Sequence, residues 1–86
     1  MLEIKIWISG CPVGQPQAQE ISRLLAAEGN RETICLARYN READACSPCC
    51  LKGKLGAKPG WEIYGEKHGG RLKISVNDGN YIFIFS

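Results

Sequence analysis

No run in this sequence is long and apolar enough to span a membrane, and the N-terminal stretch LEIKIWIS breaks its apolar residues with Glu3 and Lys5, the wrong pattern for a signal-peptide core. Charge of one sign is missing too. Eleven basic against nine acidic residues leave a net charge of +2, too little to draw nucleic acid or an anionic membrane by the field of the whole chain. Internal repeats and low-complexity tracts are absent. The single histidine, His68, sits in EKHGG among charges and glycine, where a solvated turn is the ordinary role. No paired-carboxylate, serine-triad or Cys–His signature is present locally, so a non-enzyme is favoured over an enzyme. With no targeting pattern, a cytoplasmic location is expected, where thiols stay reduced and several cysteines read as ligands, reactive groups or packing before they read as structural disulfides.

What is present fits one domain, residues 1–86. A chain of this size buries only roughly 60–65% of the surface its unfolded form exposes, so a metal, a disulfide or a partner would add useful stability. Five cysteines make the first two worth weighing.

Leu2, Ile4, Ile6 and Ile8 alternate with Glu3, Lys5, Trp7 and Ser9, the period-two pattern of a strand. Residues 16–28 predict a helix that opens on Pro16 and stops at Gly29, with Ala18, Ile21, Leu24 and Leu25 as the stripe expected to pack on a sheet. Residues 32–39 predict a second strand, with Ile34 and Leu36 on one face and Thr33, Cys35 and Ala37 on the other. A parallel β-α-β unit with the first strand is expected. Asn40 can cap a short helix in READACSPCC, ending near Pro48. Residues 47–60 form a loop or flap rich in glycine, proline and lysine, WEIYG reads as a short strand, and residues 71–86 read as a hairpin turning around Asp78 and Gly79. The expected fold is α/β or α+β, in the order β-α-β-(short α or loop)-β-β-β, a mixed sheet with one long helix on one face.

In the last strand Tyr81, Phe83 and Phe85 point one way and Ile82 and Ile84 the other, so both faces are apolar and need cover. On the face away from the helix, the cover is either residues 41–58 folding back, or a second copy or larger protein partner.

Cys11, in SGCPVGQPQ, follows the first strand and precedes the helix, a position where backbone N–H groups and the helix dipole favour a thiolate. A phosphatase loop needs arginine six positions on, where Gln17 stands, and a nucleotide-binding loop needs lysine where Gln15 stands. Neither loop is built here. The element order, with CPVG at 11–14, resembles the thioredoxin and glutaredoxin family. That resemblance implies Cys11 as the attacking thiol of a redox protein, and Gly14 at the second cysteine position limits it to single-thiol chemistry. The family's closing helix has no counterpart here.

Cys46 and Cys49 have C-x-x-C spacing, with Pro48 between them and Cys50 adjacent. A zinc or iron–sulfur site wants four ligands, so Cys46, Cys49 and Cys50 would need Cys35, Cys11 or His68 to complete it. The alternatives are a redox-sensitive disulfide clip and simple packing. The lysine-bearing flap LKGKLGAK has no aromatic residue for base stacking, so nucleic acid is not the expected partner. The functional expectation is a small intracellular accessory or binding protein that engages itself or a larger partner through its sheet. A Cys11 redox protein, or a mobile-element or viral inhibitor acting by surface binding, are the other readings.

Overall fold

The alternation at the N-terminus becomes strand β1 (Leu2–Ile6) in the computed structural model, which describes residues 1–47, 54–55 and 58–86. Helix α1 (Gln15–Gly29) follows, with Pro16 in its first turn, where a missing donor costs nothing. Gly14 caps it in extended backbone and donates its N–H to Gln17 Oε1 at 3.1 Å. Strand β2 (Cys35–Asn40) comes next. The short helix expected after Asn40 does not form in the described residues. Asn40 Oδ1 accepts the Ala43 N–H at 3.3 Å and Asp44 adopts a φ of 47°, so the chain turns and returns as β3 (Ala45–Ser47), antiparallel to β2 with Cys46 opposite Tyr39.

Within the flap, β4 (Lys54–Leu55) and β5 (Lys58–Pro59) pair antiparallel. WEIYG is not a strand. It lies in helix α2 (Gly60–Lys67), capped by extended Pro59, with Glu62 in the first turn and Lys67 in the last complementing the dipole. Trp61 and Gly65, four residues apart, both face the sheet, and that packing overrides the strand preference of Trp, Ile and Tyr. The predicted hairpin is present as β6 (Leu72–Val76) and β7 (Tyr81–Phe85). Asn80 donates its N–H to the Asn77 carbonyl at 3.3 Å, and the two residues between them, Asp78 and Gly79, take φ values of 57° and 81°, the left-handed pair that a tight hairpin turn requires.

The main sheet is mixed and five-stranded, in the order β1-β6-β7-β2-β3. β1 is parallel to β6 and the other pairs are antiparallel, so β1 and β2 run the same way. They are not neighbours, because the β6–β7 hairpin lies between them. The result is a small α+β domain with α1 on one face and α2 on the other.

β7 is covered on both sides, as its composition demanded. Tyr81, Phe83 and Phe85 pack with Leu72, Ile74 and Val76 beneath Ala18 and Ala26 of α1, while Ile84 packs with Ala37 and Trp61. On the second face α2 supplies cover, and Cys46 of β3 packs against the same cluster; the rest of the expected return, residues 48–53 and 56–57, lies outside the described residues. Trp61 stacks on Tyr39 with ring centroids 5.4 Å apart and planes 4° from parallel. A bulge between Cys35 and Ala37 also corrects the expected face assignment, turning Cys35 toward the α1 side and Ala37 toward the α2 side.

The face of α1 differs from the expected stripe. Ala18, Ser22 and Ala26 are fully buried, whereas Ile21, Leu24 and Leu25 are 37%, 56% and 40% exposed. Small residues at every fourth position let the helix sit close over the bulky aromatics of β7, which already fill the volume. Ser22 is the one polar residue in that stripe, and its Oγ is buried without a partner. Ser22→Ala is therefore expected to raise the unfolding free energy by about 1 kcal/mol, read from urea melts, through relief of the unsatisfied hydroxyl and better helix propensity.

Candidate functional site

The three described cysteines are spread through the fold. Cys11 is exposed in the β1–α1 connection, three residues before the Gly14 cap. Cys35 is half-buried against the α1-side core, and Cys46 is half-buried on the opposite side with Tyr39 and Ile82. Cys49 and Cys50 lie outside the described residues. Among the described residues, no three His, Cys, Asp or Glu side chains are grouped to hold a metal ion. His68 closes α2: its Nδ1 donates to the Tyr64 carbonyl at 2.8 Å and its ring stacks on Tyr64 at 3.9 Å.

Burial pushes the Cys35 thiol above its usual range, against the opposing pull of the Arg38 charge. Alkylation at mildly alkaline pH, mapped by peptide mass spectrometry, should label exposed Cys11 at least about ten-fold faster than Cys35. The two rates should converge after denaturation.

A different surface gathers more unusual features. Among the described residues β1 is an edge strand, bonded to β6 on one side and with no strand on the other. Leu2 donates its N–H to the Arg71 carbonyl at 3.1 Å, Ile6 accepts the Asn77 N–H at 2.8 Å, and Ile8 donates to Asn77 Oδ1 at 2.8 Å. Even-numbered residues thus serve β6. In a parallel ladder the alternate residues point away, so the N–H and C=O groups of Glu3 and Lys5 face outward from the sheet. Edge strands of folded proteins are commonly blocked by proline or short length, and β1 has neither, while carrying one lysine. Around the edge, Leu2 is 63% exposed, Met1 51% and Trp7 73%, a concentration of large apolar side chains at one end of the sheet.

On the α2 side of this edge, Lys73 of β6 forms an ion pair with Glu62 of α2, and both are largely buried. Lys73 also lies 3.8 Å from Glu3, its partner in the β1–β6 register. Met1, Glu3, Glu62, Glu66 and Lys73 line a depression of about 330 Å³. Charges of both signs meet there: Glu3, Glu62 and Glu66 with Lys73 and the N-terminal residue. Glu3 and Lys5 were legible in the sequence as the polar face of a strand, but their place on an open edge depends on strand order. The strand expected over WEIYG includes Glu62, and nothing local marks it as a partner of Lys73.

A family model described as Domain of unknown function (DUF5619) matches residues 1–85. The crystal structure of AF1514 from Archeoglobus fulgidus, described as a novel protein, is similar with a TM-score of 0.78 and 28% identity, over 100% of this chain and 93% of that one. Among curated proteins, nothing matches.

Proposed function

The chain belongs to the family described as Domain of unknown function (DUF5619), and from its own residues we propose that it is a small accessory protein of the cytoplasm that binds protein partners by strand addition at the β1 edge. One observation carries the reading: the backbone groups of Glu3 and Lys5 face away from β6 with no strand beside them among the described residues, and exposed Leu2, Met1 and Trp7 flank them. Main-chain hydrogen bonds would supply affinity, and pockets for alternate side chains would supply selectivity. Cys35 and Cys46 stand on opposite faces of the sheet and do not share a site, so the reading does not draw on them. Among the described residues no helix is long and apolar enough to cross a membrane.

Lys5→Pro tests this with little disturbance, since the Lys5 N–H points outward and its loss leaves the ladder to β6 intact. Immobilised wild-type chain should retain protein partners, a second copy included, that the Lys5→Pro chain does not. Equal retention by both, or none by either, would contradict the reading.

A further inference from the structure

The charges along the open edge fit a second copy of the same strand. Because the outward backbone groups belong to odd-numbered residues, an added antiparallel strand has to bring odd residues opposite odd ones to exchange both hydrogen bonds. Three registers of β1 against itself meet that condition with good overlap. Centred on Glu3, the strands set Glu3 against Glu3. Centred on Lys5, they set Lys5 against Lys5. Centred on Ile4, they set Glu3 of each copy against Lys5 of the other, so two unlike pairs form by symmetry.

We propose that the chain forms a two-fold homodimer by antiparallel pairing of β1 with β1 in the Ile4-centred register, joining the two five-stranded sheets into one. This rests on the reading of the β1 edge as the docking surface and names its occupant. In this register Leu2 meets Ile6 and Ile4 meets Ile4 on the α1 side, and Met1 meets Trp7 on the α2 side. The large apolar residues exposed at the edge thus cover one another.

The existing ion pairs leave room for the new ones. Lys5 is 76% exposed and its 3.9 Å approach to Glu3, like the 3.8 Å approach of Lys73 to Glu3, is at the outer limit of a contact. Glu3 is half-exposed at this edge, so Lys5 of the second copy can reach its carboxylate from the open side. The fit is therefore between a cation and a carboxylate that their own chain engages only at the outer limit of contact.

Light scattering and sedimentation equilibrium on the full chain, over about 5–500 μM, test the dimer. The wild type is expected to dimerise reversibly in that range. Glu3→Lys and Lys5→Glu should each weaken association by about ten-fold or more, since each turns two attractions per dimer into repulsions. The double swap Glu3→Lys/Lys5→Glu restores unlike pairs in the same register and should return to within about three-fold of wild type. A monomeric wild type throughout, unchanged single variants, or a double variant no better than the singles would overturn the dimer. A monomer that still retains other proteins in a Lys5→Pro-sensitive manner would remove the dimer and leave the docking edge standing; loss of that retention as well would remove both.

Discussion

Gly65→Val is expected to cost about 3 kcal/mol of unfolding free energy, read from urea melts. A β-carbon at Gly65 would stand 2.9 Å from both Cδ1 and Cγ2 of Ile84. Ile84 is fully buried between Ala37 and Trp61, so it has nowhere to retreat, and α2 would be pried from the sheet. Gly70→Ala should be of similar severity, because its β-carbon would lie 2.6 Å from the Gly65 carbonyl oxygen. That same oxygen accepts the Gly70 N–H at 2.8 Å, so backbone would have to move. The signature of the mechanism is coupling: in an Ile84→Ala background, Gly65→Ala should cost at least about 1 kcal/mol less than in the wild type. Strict additivity of the two changes would show that the Ile84 contact is not the cause.

The second large effect concerns the ion pair beside the β1 edge. Lys73→Met is expected to destabilise the fold by about 3 kcal/mol, the lower end for breaking a buried pair, since Glu62 would keep its charge without a partner. The side chains of Glu62 and Lys73 are only 10% and 20% exposed, so water cannot fully replace the lost ammonium. Glu62→Gln combined with Lys73→Met removes both charges and should recover most of the loss. If Lys73→Met alone were neutral in urea melts, the pair would contribute nothing to holding α2 against β6.

Much of the architecture was readable from local pattern. The alternation in residues 2–8, the helix bounded by Pro16 and Gly29, the 71–86 hairpin and the two apolar faces of the last strand all appear in the fold. Each depends on periodicity or turn chemistry within a few residues. The errors arose where distant contacts decided the outcome. WEIYG has the residues of a strand, but a helix there presents Trp61 and Gly65 together to Tyr39 and Ile84, four residues apart on one side. On α1 the larger apolar residues lost their place to Ala18, Ser22 and Ala26 because Phe83 and Phe85 already occupy the space beneath.

The candidate site was less legible for the same reason. Parity places Glu3 and Lys5 on the polar face of a strand, yet the position of β1 at the edge of the described sheet follows from strand order, with the hairpin inserted between β1 and β2. The bulge at Cys35 and Ala37 reversed a face assignment that strict alternation had implied, and it separates Cys35 from Cys46. Neither effect has a signature within a single stretch of the chain.

Residue-resolved amide hydrogen exchange in β1, followed as the protein is concentrated, bears most directly on whether that edge is built for assembly. The Ile4 amide, directed at β6, should be protected at every concentration. The Glu3 and Lys5 amides should exchange quickly in dilute protein and gain protection together as the concentration rises. Outward amides whose exchange stays fast and unchanged up to the highest concentration would contradict the account.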